Sequence, residues 1–557
     1  MSASLQRHLT AQLVAVVFAT AGGLGARADE SEDRPNILVI LADGLGWGDL
    51  SLHGNREIAT PHLDAFAESG LGLEHFYTCP EGATTRASLL TGRYHYRTGV
   101  SGSSHGESFL PDYEVTIAEV LQAAGWSTGY FGKWQNGANW PHRPEAQGFD
   151  RFFGYCGNSN ATAPIESNDG SDFSENEVSF TGLCFEKART FIEETPQPWF
   201  CFISLDAPGD APNDTAREAI EEIDTAFGRL IEALSDKEKA SPALVWFLSS
   251  NGPASLPDSE ENRFNAYLRG GKGSVHEGGV RVPSLIRWPE KIPAGTGFDR
   301  ITTAIDLFPT LVEVAGIPTS EVNLSILDGM SLAPALRAGG KPDRWPNRIL
   351  FTSCTPPGFD TRNASVAVRT DRWVALRDPN WQRGDLSDTH SGWELHDLDA
   401  DPYERYDSSD DYPYLISDMR ADFSRWMDHT TDDGLKNLPT EIGHPHWPVV
   451  TLSPECVPFE WKPTGSRLSW PVKVVGDGGK YQIEIELDPK APAKKGRFHF
   501  FLRNTETVID VAVEEARPTI PVGEFSFDPG EFEFRIEAVK DGSAIKRIRT
   551  IRVIAAD

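Results

Sequence analysis

The sequence predicts a large α/β domain, built on a mostly parallel sheet with helices on both faces, followed by a small α+β subdomain and an added β-sandwich domain. Three features predict it: short apolar runs without alternation, amphipathic helical segments between those runs, and alternating polar and apolar residues near the end of the chain. With 557 residues, the chain is also too long for a single compact domain.

The central strands are predicted by apolar runs at residues 37–41, 127–131, 199–205 and 243–248. Continuous apolarity is typical of strands that are buried on both faces of a parallel sheet. Residues 216–234 carry apolar side chains on one helical stripe, and a second helical pattern over 115–124 stops at Gly125. Strands and helices that alternate in this way predict an α/β domain.

Each apolar run ends in polar or glycine-rich sequence, at residues 42–44, 132–135, 206–209 and 249–252. In open α/β sheets, ligands bind beyond the carboxyl ends of the strands. We therefore expect these four loops to meet at one site.

The start of the chain has the pattern of a signal peptide. Arg7 and His8 precede an apolar run over 11–24, which ends in Ala26-Arg27-Ala28. The run is short for a membrane span and no other segment is long enough, so we expect an exported protein, secreted, periplasmic or extracellular, without an integral membrane segment after cleavage. The predicted boundaries are 1–28 for the signal peptide, 29–345 for the α/β domain, 346–437 for the α+β subdomain, 438–448 for a linker and 449–557 for the β-sandwich.

The net charge excludes some classes of partner, and the cysteine spacing excludes some kinds of site. The chain has 52 basic and 82 acidic residues, a formal net charge of −30, which argues against nucleic acid or an anionic membrane as partner. Its 6 cysteines match no zinc or redox spacing, and export would permit disulfides whose pairing the sequence leaves open, as it does the oligomeric state.

Six motifs occur in a fixed order between residues 34 and 404. They are 34–43 (RPNILVILAD), 60–64 (TPHLD), 86–93 (RASLLTGR), 131–134 (FGKW), 268–273 (LRGGKG) and 394–398 (ELHDL). Together they resemble the sulfatase family, which has an alkaline-phosphatase-like fold. The resemblance implies a sulfuric ester hydrolase, in which a cysteine converted to formylglycine attacks sulfur while a divalent cation, usually calcium, holds the sulfate oxygens.

The position of the nucleophile departs from that pattern. The family has its cysteine four residues before the signature arginine, which corresponds to Arg86, and this chain has Gly82 there. Glycine has no side chain to oxidise, so formylglycine cannot form at this position. Cys79 lies three positions too early to replace it.

The implied metal ligands are also depleted. The family's paired aspartates after the first strand become Asp43 and Gly44, and its later Asp-Asn pair becomes Ser250 and Asn251. A hard divalent cation requires several anionic oxygens. We therefore expect no cofactor, and calcium only if the site is still active.

Both histidine positions of the family are replaced, whereas its cations remain. Gln135 and Gly209 stand at those positions, and neither carries a proton near neutral pH. Arg86, Lys133 and Lys272 match the cations that bind sulfate in the family. By formal count, three cations then face a single aspartate, which predicts a positive, metal-free pocket.

Two functions follow from this set of residues. The first is a non-catalytic sulfatase homologue, a pseudoenzyme that binds sulfated or other anionic glycans with the help of a helix N-terminus at the site. The second is a sulfuric ester hydrolase or phosphohydrolase that uses Cys79, Thr84 or Thr85 as a nucleophile. The three retained cations are equally compatible with structural ion pairs.

Overall fold

The computed structural model describes residues 34–100, 102, 109–157, 165–168, 179–211, 213–235, 242–254, 263–318, 322–354, 364–378, 392–431, 438–445, 447–452, 467–487, 496–502, 505–511, 519–538 and 548–556. The signal peptide predicted at 1–28 lies outside the described residues. Within them, no helix is both long and apolar enough to span a bilayer.

A nine-stranded sheet forms the centre of the α/β domain. The strands of this domain are β1 (Asn36–Asp43), β2 (Leu71–Leu73), β3 (Phe76–Tyr77), β4 (Ser127–Lys133), β5 (Arg151–Tyr155), β6 (Glu166–Ser167), β7 (Trp199–Pro208), β8 (Ala243–Ser249), β9 (Ser284–Arg287), β10 (Thr296–Phe298) and β11 (Thr302–Thr303). The order in the sheet is β10-β2-β9-β8-β1-β7-β4-β5-β6. Strands β8, β1, β7, β4 and β5 run parallel, so their carboxyl ends share one edge.

Helices cover both faces of this sheet. The helices of this domain are α1 (Pro61–Glu68), α2 (Gly82–Thr91), α3 (His95–Thr98), α4 (Ile117–Ala123), α5 (Phe180–Glu194), α6 (Asn213–Ser235), α7 (Glu277–Val280), α8 (Leu307–Val314) and α9 (Ala333–Arg337). Successive residues of β1 enter different cores: Val39 packs in the cluster that contains α2, α4 and α8, whereas Ile40 packs in the cluster that contains α1, α5 and α6. The continuous apolarity of the run therefore reflects burial on both faces, and the predicted fold class is confirmed.

The residues at both ends of α4 explain where this helix begins and ends. Thr116 caps α4, because its Oγ1 accepts from the Glu119 backbone N–H at 3.1 Å while Glu119 Oε2 accepts from the Thr116 N–H at 2.8 Å. The helix ends before Gly125, whose φ of +92° suits glycine. This closes the turn that leads into β4.

A four-stranded antiparallel sheet follows the α/β domain. Its strands, in spatial order, are β12 (Leu350–Cys354), β13 (Ser365–Arg369), β14 (Trp373–Arg377) and β15 (Glu394–Asp397), and α10 (Pro413–Thr431) packs against it. A buried ion pair joins this sheet to the α/β domain, with Arg369 Nε donating to Glu277 Oε1 at 3.1 Å.

The remaining strands form two facing antiparallel sheets, apart from one parallel pair. They are β16 (Thr440–Ile442), β17 (Val449–Leu452), β18 (Arg467–Val474), β19 (Gly479–Leu487), β20 (Gly496–Leu502), β21 (Thr505–Val511), β22 (Thr519–Phe527), β23 (Gly530–Ala538) and β24 (Ile548–Ala555), in the orders β16-β18-β23-β20-β21 and β17-β24-β19-β22. Trp470 and Phe534 are buried between them with their rings 6.0 Å apart. Strand β16 lies inside the stretch predicted as a linker and pairs in parallel with β18, so this part of the stretch belongs to the sandwich.

The sandwich contacts the α/β domain through its strand β17. The side chain of Asn139 donates to Thr451 O at 2.9 Å and accepts from Thr451 N at 2.9 Å. The Arg143 guanidinium also lies 4.1 Å from the centre of the Trp447 ring. Among the described residues, Cys79, Cys156, Cys184, Cys201 and Cys354 form no disulfide with one another, and Cys456 lies outside the described residues.

Gly132 in β4 offers a test of how the central strands hold the site. Its φ is +128°, and a Cβ added there would lie 1.8 Å from Ser204 O on β7. We expect Gly132→Ala to lower the free energy of unfolding by roughly 3 kcal/mol or more, because strain and overlap both oppose the native strand spacing. Urea unfolding followed by tryptophan fluorescence measures this.

Gly316→Ala is the matched control for this substitution. Gly316 also has a positive φ, +68°, but no atom lies within 4 Å of an added Cβ. Only backbone strain of about 1 kcal/mol is then expected. Equal losses in the two variants would show that the close approach of β4 to β7 is not what requires glycine.

Candidate functional site

The carboxyl ends of the parallel strands bring the predicted loops together. Asp43 ends β1, Lys133 ends β4, and Ser250 follows β8. Lys133 Nζ lies 2.7 Å from Asp43 Oδ2, and the Ser250 hydroxyl donates to Asp43 Oδ1 at 3.0 Å. Arg86 in α2 adds a second cation, with Nη2 3.8 Å from Asp43 Oδ2. Asp43 is therefore the point at which four segments of the chain meet.

Gly82 is the first residue of α2 and faces this centre. A Cβ added at Gly82 would lie 2.6 Å from Arg86 Nη1, 3.4 Å from Asp43 Oδ1 and 3.4 Å from Ser250 Oγ. A side chain at position 82 would therefore point into the site, which is where the sequence motif puts the nucleophile. The chain has only a hydrogen atom there.

The three alternative nucleophiles are poorly placed to act. The Thr84 hydroxyl donates to Glu81 O at 2.8 Å, and the Thr85 hydroxyl donates to Ser250 O at 2.6 Å. Burial raises the pKa of the Cys79 thiol, which leaves less of the reactive thiolate. These contacts tie Thr84 and Thr85 to the backbone, and the hydrogen bonds of Ser88, Thr84 and Thr85 to Cys79 lower its pKa less than burial raises it.

The remaining metal-ligand positions do not fit a calcium ion. Asp43 is the single carboxylate among the four positions, and both of its oxygens already contact Lys133 or Ser250. Asn251 Oδ1 lies 2.8 Å from the Ser250 hydroxyl, and Gly44 has no side chain. No group of three or more His, Cys, Asp or Glu residues is arranged for a metal in the part of the chain that the structure describes. Calcium prefers six to eight oxygen ligands with several carboxylates, which this set does not supply.

The electrostatics of Asp43 explain why it remains ionised. Burial alone would raise its pKa, because a charged carboxylate loses its hydration. The positive charges of Lys133, Lys272 and Arg86, together with the hydrogen bond from Lys133, outweigh that effect and hold the pKa of Asp43 well below its usual range. The carboxylate is therefore the counter-charge for the cations.

Two acidic residues of the site were not among the predicted site residues. Asp206 Oδ2 accepts from the Tyr155 hydroxyl at 3.1 Å, and Asp210 Oδ1 lies 2.7 Å from Lys272 Nζ. Burial raises the pKa of Asp206, although Lys133 acts in the opposite direction. The formal count of one aspartate against three cations was therefore wrong, because it omitted carboxylates that flank the 207–209 segment. Both aspartates lie in or next to the loop at 206–209 that the sequence already assigned to the site, and this position could have identified them.

The two residues at the histidine positions have structural contacts. Gln135 Oε1 accepts from Arg86 Nη1 at 2.9 Å, and Gly209 N donates to Asp43 O at 2.7 Å. Gly209 has a φ of +58° and packs against Gly44, whose φ is +71°. Both replacements stabilise the loops around Asp43, and neither provides an acid or a base.

The three predicted cations differ in their accessibility. Arg86 is fully buried and donates to Ser204 Oγ at 2.9 Å, in addition to its other contacts. Lys133 is buried against Asp43. The Lys272 side chain is 26% exposed, and its partner Asp210 is 69% exposed, so this pair lies at the rim. An anion from solvent would contact Lys272 before the other two cations.

Protein-family profiles match most of the chain up to residue 427. A profile described as Sulfatase matches residues 35–317, and one described as N-sulphoglucosamine sulphohydrolase, C-terminal, matches residues 271–427. Arylsulfatase A of Homo sapiens is 32% identical over 437 residues, which cover 67% of this chain and 83% of that protein. N-acetylgalactosamine-6-sulfatase of Canis lupus familiaris is 30% identical over 369 residues, which cover 58% of this chain and 70% of that protein.

Two solved structures have a similar fold. Ps i-CgsB in complex with k-i-k-neocarrahexaose has a TM-score of 0.61 and 26% identity, over 71% of this chain and 92% of that chain. BT4656 in complex with its substrate D-glucosamine-2-N,6-O-disulfate has a TM-score of 0.57 over 72% of this chain and 99% of that chain. Its identity of 18% supports the fold alone.

The pair of Lys133 and Asp43 predicts a specific pH dependence of stability. The folded-state pKa of Asp43 lies below its unfolded value, so its contribution to stability is present above about pH 4 and is lost as the pH falls further. Lys133→Met leaves a buried carboxylate without its nearest cation, and we expect a loss of roughly 3 to 5 kcal/mol at neutral pH. Urea unfolding at neutral pH and at about pH 3 should show a smaller difference at the lower pH.

Lys341→Met serves as the control for the removed charge. Lys341 is exposed on the surface of the α/β domain. Its replacement is expected to change the free energy of unfolding by less than about 0.5 kcal/mol. A loss in Lys133→Met that does not depend on pH would contradict the assignment of the pair.

Proposed function

The chain belongs to the sulfatase family, and on that premise we propose that it is an exported, non-catalytic member that binds sulfated or other anionic glycans without a metal ion. The observation that carries the proposal is Gly82, which stands where a side chain would face Arg86 and Asp43. A sulfatase needs a nucleophile at that point, and glycine supplies none. Two of the four calcium-ligand positions and both histidines of the family are also replaced, as the contacts of Ser250, Gln135 and Gly209 illustrate.

The retained cations support anion binding in place of hydrolysis, because the carboxylate of Asp210 at the rim can be displaced from Lys272. Lys272 lies at the rim, and Arg86 and Lys133 lie behind it around Asp43. An incoming sulfate group would compete with Asp210 for Lys272. Exposed ion pairs of this kind contribute only about 0 to 1 kcal/mol, so a charged ligand can displace the carboxylate at small cost.

One structural neighbour supports the class of ligand. Ps i-CgsB, which is 26% identical to this chain, was solved in complex with k-i-k-neocarrahexaose. A sulfated sugar is therefore the ligand class that we assign to this chain. Binding without a metal distinguishes the proposal from a working sulfatase, because a sulfatase depends on its calcium ion.

Sulfate release is the first test of this function. Purified mature chain is incubated with aryl sulfates, N-acetylgalactosamine 6-sulfate and a neocarrageenan hexasaccharide, with calcium added. We expect no release above that of Lys133→Ala, which controls for contaminating enzymes. Binding of the same hexasaccharide, measured by calorimetry in EDTA and at low salt, is expected to persist. Release that Lys133→Ala abolishes would overturn the proposal, and so would binding that requires calcium.

Asp210 gives a second prediction, which concerns affinity. Asp210→Asn removes the negative charge that competes for Lys272 at 2.7 Å, so we expect sulfate and the hexasaccharide to bind about fivefold more tightly. Asp214→Asn is the matched control, because Asp214 is exposed near the start of α6 and has the same charge. Calorimetry at low and high salt measures the change. An equal gain in both variants would indicate a general charge effect instead of competition at Lys272.

A further inference from the structure

One short segment leads from the cluster around Asp43 directly to the β-sandwich. It comprises residues 134–147, which follow β4, and we call it the bridging segment. The segment folds back on itself, because the Trp134 indole N–H donates to His142 O at 2.9 Å and His142 N donates to Asn139 O at 2.8 Å. Trp134 is fully buried, so the base of this fold is fixed in the core of the α/β domain.

One end of the bridging segment holds the anion site, which is the cluster of cations around Asp43. Gln135 Oε1 accepts from Arg86 Nη1 at 2.9 Å, and Asn136 Nδ2 donates to Ala83 O, in the first turn of α2, at 3.2 Å. Gln135 has a φ of +60°, which is unfavourable for a residue with a long side chain and persists only where the surroundings enforce it. The orientation of the Arg86 guanidinium and the start of α2 therefore both depend on this end of the segment.

The other end of the bridging segment is held by the sandwich. Strand β17 lies at the edge of its sheet, and the backbone N–H and C=O of its residue Thr451 bond to the side chain of Asn139, both at 2.9 Å. The buried Arg143 guanidinium lies 4.1 Å from the centre of the Trp447 ring. Hydrogen bonds of an edge strand and a cation beside an indole ring fix the position of this end.

The two ends are close together and the chain between them is tightly packed. Gln135 and Asn139 are four residues apart, so their Cα atoms are at most about 14 Å apart. A Cβ added at Gly137, which lies between them, would be 2.4 Å from His142 Cβ. Closely packed groups transmit displacements, because they have no space in which to absorb them. A movement at Asn139 is therefore expected to reach Gln135.

The outer faces of the sandwich carry ion pairs between neighbouring strands. Arg552 on β24 lies 3.2 Å from Glu484 on β19, and Arg467 on β18 lies 2.6 Å from Glu533 on β23. The alternate residues of these strands fill the core between the two sheets. Where the structure describes its side chains, the sandwich is thus a packed body with a solvated exterior. Its contact with the bridging segment is the feature that connects it to the anion site.

We propose that the β-sandwich positions the anion site through the bridging segment, with Asn139 as the positioning residue. Because Asn139 is bonded to Thr451, the segment keeps Gln135 on Arg86 and Asn136 on the first turn of α2. The effect on anion binding rests on the proposed function. The hold of the sandwich on the segment rests on the contacts alone.

Calorimetry of full-length variants with inorganic sulfate at low salt tests this role. Asn139→Ala removes both hydrogen bonds to β17, and we expect sulfate to bind about fivefold more weakly, because Arg86 is no longer held in one orientation. Trp447→Leu changes the sandwich alone and should weaken binding by about twofold. Asn36→Ala is the control, because Asn36 is a buried asparagine that accepts from Trp199 N at the opposite edge of the central sheet. Its loss should leave the affinity for sulfate unchanged.

Two further measurements separate positioning from a general loss of stability. In the Gln135→Ala background, where the contact with the buried guanidinium is already lost, adding Asn139→Ala should weaken sulfate binding by less than about twofold. Hydrogen exchange is the second measurement and needs no ligand. The Leu110 amide donates to Asn136 O at 2.9 Å, and its exchange should be about tenfold faster in Asn139→Ala and unchanged in Asn36→Ala.

The positioning role and the proposed function fail in different ways in these experiments. If the wild type binds sulfate and Asn139→Ala does not weaken that binding, the positioning role is overturned and the proposed function stands. The positioning role is also overturned if Asn36→Ala weakens binding as much as Asn139→Ala does. If the wild type binds no sulfate, the proposed function fails. Faster exchange at Leu110 would then still support the hold of the sandwich on the bridging segment, and unchanged exchange would overturn it.

Discussion

The buried carboxylate of Asp43 is the constraint on which the arrangement of the site depends. It lies at the end of β1 and contacts Lys133 from β4, Arg86 from α2 and Ser250 from the loop after β8. Taking one carboxylate and two cations out of water is costly, and it is offset only when close contacts and further hydrogen bonds satisfy the charges. Those contacts fix the relative positions of three parallel strands and of the helix that begins at Gly82.

The replaced catalytic positions are integrated into this network. Ser250 donates to Asp43 where the family pattern has a metal ligand, and Gln135 accepts from Arg86 where that pattern has a histidine. Gly209 donates its backbone N–H to Asp43 O. Each replacement satisfies a hydrogen bond of the buried cluster, which helps the fold to keep Arg86 and Lys133 close to Asp43.

The sequence predicted the central sheet because its strands have a local signature. Alternate residues of β1 pack in the two cores on opposite faces of the sheet, so every residue of the run is apolar. Strand β16 was missed because its three residues, directly after Pro439, are too few to show a periodic pattern. Only their pairing with β18 identifies them as a strand. Position 82 was found by its fixed distance from Arg86. The pair of Lys272 and Asp210 was missed because 62 residues separate its members, and no local pattern reports such a contact.

Differences in exposure within the cluster decide how an anion would enter it. Arg86 and Lys133 are buried beside Asp43, whereas Lys272 and Asp210 form a partly exposed pair at the rim. Salt screens a rim pair far more than a buried one, so under the proposed function the first contact with a sulfated ligand depends on ionic strength. A sulfate group is the same on every glycan, so these cations would attract negative charge without identifying the sugar that carries it.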